Sequence, residues 1–252
     1  MIHNLRTQNW TAIGLELAIV IIGVFIGSQV SNWNQVRLEK AATQRMLVQL
    51  VPELKNQLEF YDSARTYYAT TRRFANQALA AWNGDPQVSD EQFVVAAYQA
   101  SQIIGIGTNS ENWALTFGGE QLRNIDDPKV RRNLEVVLTT DYGAVQFTSV
   151  ATPYREQVRR VIPILVQDKI RKECGDRTLY GEGGYILTAL PQNCTVRIPS
   201  GEAAAIAAAL RARRDLPAEL YWHLAAVATY LANALTLEEQ ILTLQRALTQ
   251  PS

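Results

Sequence analysis

Between Trp10 and Trp33 the chain reads WTAIGLELAIVIIGVFIGSQVSNW, 24 residues with Glu16 as the single charge. No other stretch constrains the fold as much. An apolar run of this length is read as a membrane-crossing helix, because few core helices go so far without a polar interruption. As a helix it would hold its terminal indoles about 35 Å apart, near the separation of the two polar faces of a bilayer. Trp10 and Trp33 are therefore the expected interface anchors. A cleaved signal peptide is the competing reading. The apolar core exceeds the usual signal length and no small-residue cleavage motif precedes Trp33, which favours a retained anchor.

Orientation draws on two conflicting signals. Arg37, Lys40 and Arg45 follow the span and only Arg6 precedes it, which alone would keep the C-terminal side in the cytoplasm. Large domains cross regardless of such counts, however, and Cys174 and Cys194 both lie beyond the span. The expectation is a bacterial inner-membrane protein with a cytoplasmic N-terminus and residues 34–252 in the periplasm.

Those residues are expected to form one helical domain. Hydrophobic residues make up 47% and charged residues 19%, an ordinary globular balance that argues against disorder. Lys and Arg number 24 against 24 Asp and Glu, so no basic excess points to nucleic acid. From Asn34 to Trp82 there is no glycine, and the apolar stripe Leu47, Val51, Leu54, Leu58, Tyr61, Tyr68 predicts a long helix continuing from the anchor. Pro52 should kink or break it, and Asn83-Gly84-Asp85-Pro86 should end it. Ser89 with Gln92, and Thr108 with Glu111, read as capping boxes. The glycines of Gly105-Ile106-Gly107 lie between two helices and read as a turn rather than a phosphate loop. Asp127 ahead of Pro128 is a strong helix start, for a helix to about Tyr142 that resumes toward Lys172, kinked or divided by Pro153 and Pro163. Ser200 is expected to cap an alanine-rich helix to about Arg214. Asp215 and Pro217 open the last helix, with apolar positions Leu220, Leu224, Val227, Leu231, Ala234, Ile241 and Leu248.

The pattern changes between the cysteines. Arg177–Tyr180 and Tyr185–Ala189 read as strands of a hairpin turning at Gly181-Glu182-Gly183-Gly184, and Thr195–Ile198 as a further short strand, an excursion over about 174–198. A bridge between Cys174 and Cys194 would close this excursion at its base if the compartment is oxidising. Two free thiols, or less readily a metal site, are the alternatives. The fold class is thus mainly α: an antiparallel helical bundle with one hairpin.

Candidate chemistry is thin. His3 and His223 are remote from each other, and His223 beside Trp222 reads as a packed or surface histidine. Asp126-Asp127 reads as a helix cap and Glu238-Glu239 as a solvated face. The pairs Arg131-Arg132 and Arg159-Arg160, and Arg211 with Arg213 and Arg214, offer charge for an anionic partner, but a solvated helix face is the first reading of each. No catalytic, cofactor or metal residues are assigned. The sharper local signal lies in the span, where Glu16, Gly23, Gly27 and Ser31 share one helix face. Small residues on one face let another helix backbone approach. A carboxylate inside hydrocarbon is better accommodated at a helix contact than facing lipid.

Residues 15–35, LELAIVIIGVFIGSQVSNWNQ, resemble the N-terminal segment of a family of uncharacterised bacterial single-pass membrane proteins. Glu16, Gly23, Gln29, Asn32, Trp33 and Asn34 match its pattern, and Gln35 stands where an acid is usual. Residues 109–134, NSENWALTFGGEQLRNIDDPKVRRNL, look like the central segment of that family. The resemblance implies an anchored helical domain and carries no activity with it.

The expected function is therefore non-enzymatic: a membrane-anchored protein acting in assembly or as an accessory subunit, through self-association or a membrane-complex partner. The alternative is a periplasmic ligand-binding or sensor bundle that signals through a partner, with an unusual hydrolase third.

Overall fold

A computed structural model describes residues 10–105, 110–140 and 152–250, and the fold below refers to these. Helix α1 runs from Trp10 to Trp82, 73 residues, a rod about 110 Å long. Pro52 does not end it. Proline removes the hydrogen bond that its N–H would give to Val48, but the side chain faces outward and the helix continues beyond it. The rod stops at Gly84, whose φ of +82° lets Asp85 N–H reach the Ala80 carbonyl (3.0 Å) and Gly84 N–H the Ala81 carbonyl (3.2 Å).

The remaining helices wrap the upper half of this rod. They are α2 (Asp90–Gln99), α3 (Ser110–Phe117), α4 (Glu120–Arg123), α5 (Pro128–Thr139), α6 (Pro153–Val161), α7 (Ile164–Cys174), α8 (Ser200–Ala212) and α9 (Leu216–Thr249). Helix α9 packs antiparallel to α1. Glu238 pairs with Arg65, and Leu248 approaches Leu47 one domain-length lower. Helix α2 is held between α1 and α8, while α5 and α6 lie on α9. One core joins them, centred on Leu54, Tyr61, Phe93, Tyr98, Trp113, Tyr154 and Ile241. At the far end Trp82 donates Nε1–H to the Leu210 carbonyl (3.1 Å) and meets Phe93 edge-on.

Several local expectations hold because their causes are local. Ser89 and Gln92 exchange both bonds of a capping box at α2, and Asp127 accepts from Lys129 and Val130 N–H with Pro128 at the first position of α5. The chain divides at Pro153 and Pro163 into α6 and α7. The second capping box, at Thr108, and most of the Gly105–Gly107 turn lie outside the described residues.

Strands β1 (Arg177–Tyr180) and β2 (Ile186–Ala189) pair antiparallel with Tyr180 opposite Ile186. The Cys174–Cys194 disulfide closes their base, which removes the free-thiol and metal readings of these cysteines. The hairpin lies back on α1. Glu182 pairs with Lys55, Tyr185 Oη donates to Glu59, and Ser63 Oγ donates to the Thr188 carbonyl (3.3 Å).

Two expectations are corrected. Residues 195–198 form no strand: Val196 and Ile198 are buried as anchors, Ile198 N–H donates to Glu91, and the Arg197 carbonyl accepts from Lys169, so the backbone is satisfied by side chains. Ser200 is the first residue of α8 and not its cap; Pro199 holds that position without a side-chain bond. Asp215 and Pro217 open α9 as expected, with Asp215 at the cap position and its carboxylate accepting from the Arg213 guanidinium (2.6 Å).

Candidate functional site

Two places in the molecule carry more than packing. The first is the outer face of α1. From Ile13 to Glu39 every side chain is exposed, and this portion is long and apolar enough to cross a membrane. At about 100° per residue, Glu16, Gly23, Gly27 and Ser31 fall in one sector of the helix, and Leu38, Ala41, Arg45 and Val48 continue it. The core-facing stripe, Thr43, Leu47, Leu50 and Leu54, is centred on the opposite side, so the domain stands behind this face and does not cover it. Leu38 and Val48 are 58% and 72% exposed although they lie beyond the apolar span. A Cβ added at Gly23 or Gly27 would meet nothing within 4 Å. The hairpin closes the face at its upper end, where Lys55 and Glu59 are engaged by Glu182 and Tyr185. Trp33 is exposed with Arg37 over its ring at 5.8 Å, and Trp10 begins the helix, its side chain lying outside the described ones.

Lower on the domain, Leu47, Val51, Ile125, Val130 and Leu248 line an apolar groove of about 460 Å³. Lys40 ties its floor by pairing with Asp126 at 2.6 Å. Thus Asp126-Asp127 is only half a cap: Asp127 caps α5, and Asp126 fastens the preceding turn to α1.

The second place is a polar cluster inside the upper bundle, built where α6 and α7 cross the C-terminal end of α2. Arg155 donates to the Ser101 carbonyl (2.5 Å). Arg159 donates Nε–H to Ser101 Oγ (3.2 Å) and a terminal N–H to Gln102 Oε1 (2.9 Å), with its guanidinium 4.8 Å from the Tyr98 ring centroid. Arg171 donates to Tyr98 Oη (3.1 Å). Carbonyls at a helix C-terminus attract cations, which explains why arginines collect here. Burial holds the Arg155 and Arg159 guanidinium pKa values below the ordinary range, and for Arg159 the neighbouring charge of Arg155 adds to the effect. Among the described residues, Arg171 is the one member of the cluster with a carboxylate partner, Asp168.

Around this cluster sit buried tyrosines. Tyr67 Oη donates to Asp176 (2.7 Å), Tyr68 Oη to the Ile104 carbonyl (2.6 Å) and Tyr154 Oη to the Ala97 carbonyl (2.8 Å). Burial pushes all three phenols well above their ordinary range, so they act as hydrogen-bond donors and not as bases.

His223 is packed beneath the same cluster, 1% exposed, with Nδ1 2.7 Å from Thr152 Oγ1. Thr152 Oγ1 also accepts from Arg155 N–H (3.4 Å). A hydroxyl oxygen can accept two bonds and donate one, so Thr152 serves either neutral tautomer of the ring. Burial, and then the Arg155 charge, press the imidazole down to about 4. It is a neutral structural group at physiological pH.

Two of the charged pairs differ from their sequence reading. Glu238 is 15% exposed and pairs with Arg65 across the α1–α9 contact, whereas Glu239 beside it is solvated. Arg159 is half-buried in the cluster, whereas Arg160 is exposed and pairs with Glu156. Of the other arginines, Arg211 pairs with Asp90 across to α2 and stacks on Phe93, while Arg131 and Arg132 are solvated as expected. A helical period marks faces but not which neighbour covers them, so the sequence did not set Glu238 apart from Glu239 or Arg159 from Arg160, and gave no signal for Arg155. Among the described residues no group of three or more His, Cys, Asp or Glu converges to hold a metal ion.

Comparison of the chain with protein-family models, curated proteins and solved structures finds no match.

Proposed function

We propose that this chain is a single-pass protein of the bacterial inner membrane, N-terminus cytoplasmic and domain periplasmic, that works without catalysis. On this reading it acts in assembly or as an accessory subunit, through self-association or with a membrane-complex partner. One observation carries the reading: a single uninterrupted helix joins an exposed apolar span to the domain core, and its uncovered face lies opposite that core. A neighbouring helix can lie along this face on the side away from the core, meeting the domain only at the groove beside Val48 and Pro52. From Glu16 to Pro52 the face is about 54 Å long. Two strips of that length and about 10 Å width bury on the order of 1,000 Å², the lower bound for a specific interface. The Cys174–Cys194 bridge supports an oxidising compartment.

The test is crosslinking and native mass measurement of the intact protein in mild detergent. Multimers that disappear in Gly27→Leu are expected; a monomer under all conditions, unchanged by that substitution, would refute self-association. Identifying what copurifies from native membranes then separates a homo-oligomer from a larger complex. A ligand-binding bundle is the second reading, favoured by one feature, the arginine cluster above α2.

A further inference from the structure

Arg155, Arg159 and Arg171 are linked through shared partners: Ser101 joins the first two and Tyr98 the last two. A guanidinium carries five N–H donors and no acceptor. Among the described residues Arg155 gives one of its side-chain donors and Arg159 two, and neither has a carboxylate within ion-pair distance. Asp176 is near enough for its charge to be felt by Arg155, but it lies beyond ion-pair contact and accepts from Tyr67 Oη. Two adjacent cations partly withdrawn from water with no carboxylate in contact are costly, and the half charge of a helix end does not balance them. Both residues keep partial exposure.

We propose that Arg155 and Arg159, flanked by Arg171, form a binding site for a compact soluble oxyanion. Its oxygens take the unspent N–H donors in the forked geometry that guanidinium groups offer, and its charge supplies the missing counter-ion. Tyr98 backs the site as a ring for Arg159 and as an Oη partner of Arg171. A lipid headgroup is not the source. Tyr67 and Tyr68, at this level, stand about 50 Å beyond Trp33 along α1, out of reach of a bilayer surface at the anchor. That exclusion, and only that, rests on the membrane position proposed above. The inference deepens the ligand-binding reading and is independent of self-association.

The experiment is calorimetric titration and thermal shift of the intact protein in detergent, with inorganic phosphate and with succinate, against chloride at equal ionic strength. Binding of phosphate or succinate is expected. Arg159→Gln should weaken it at least about tenfold, the loss of one charge-assisted contact, while Arg160→Gln one residue away leaves it unchanged. If Arg159→Gln does not fold, Arg155→Lys and Arg159→Lys keep the charge and lose the fork, and they should weaken binding in the same direction. Absence of binding by either anion overturns the proposal. So does binding that these substitutions leave intact. Neither result bears on the multimer measurement, which reads the α1 face alone.

Discussion

The two halves of α1 have the same backbone and opposite surroundings. Residues 13–39 are exposed on all sides although about half are aliphatic, whereas from Thr43 onward one stripe is buried and its flanks are polar. A helix that is apolar all round must find an apolar medium, but an amphipathic one needs only a neighbour on one side. The lower half thus depends on a bilayer or another helix, and the upper half on α2, α9 and the hairpin. The small-residue face of the first half and the core face of the second point in opposite directions, so the same rod serves both without conflict.

Substitutions on the rod test this contrast most directly. Leu54 is fully buried, so Leu54→Ala should cost about 3–4 kcal/mol in chemical denaturation of the domain, while Val20→Ala should fall within about 0.5 kcal/mol. A comparable cost at both positions would mean that the lower half also folds into the domain.

The upper half is further distinguished by its covalent and buried polar supports. Removing the bridge by Cys174→Ser with Cys194→Ser should cost about 3 kcal/mol on the chain-entropy estimate. Hydrogen exchange should rise in residues 177–189 before it rises in α9; uniform loosening would show that the bridge braces the whole bundle.

Acid should act on the upper half through His223. Its folded pKa of about 4 lies below the ordinary 6.5, so the unfolded chain binds the proton first as pH falls. Stability from this group is intact above pH 6.5, declines toward pH 4 and is then fully lost, a change of about 3 kcal/mol. His223→Gln, which retains a bond to Thr152, should flatten the difference between pH 7 and pH 4 by that amount. An unchanged slope would assign the acid response to carboxylates alone.

A smaller effect is expected where α9 meets α1. Glu238→Gln keeps the shape but removes the charge facing Arg65, and because Arg65 is partly solvated the loss should be about 1–2 kcal/mol by urea unfolding. Smallest for the domain is Gly27→Leu. Its site is open, so domain unfolding should shift by less than about 0.5 kcal/mol while multimers are lost. Domain destabilisation by Gly27→Leu would show that the two halves are not energetically separate.

How much was legible differs between elements for one reason, the range of the interaction responsible. The capping box at Ser89, the start at Asp127-Pro128, the stop at Gly84 and the Gly-rich hairpin turn are all settled within a few residues. The reading failed at residues 195–198, whose backbone is satisfied by Glu91 and Lys169, and at Ser200. It failed too at Glu238 and Arg159, where a charge read as solvated is covered by a distant helix.

What the sequence determined by itself is the apolar span, the mainly helical class, the hairpin between the cysteines and the face shared by Glu16, Gly23, Gly27 and Ser31. Each follows from periodicity or from turn chemistry that neighbouring residues impose. Only the tertiary structure decided that this face lies opposite the core, that the cysteines bond, and that three arginines gather over the end of α2. Those depend on which helices pack together, and packing brings residues from α2, α6 and α7 within a few ångströms although long stretches of chain separate them.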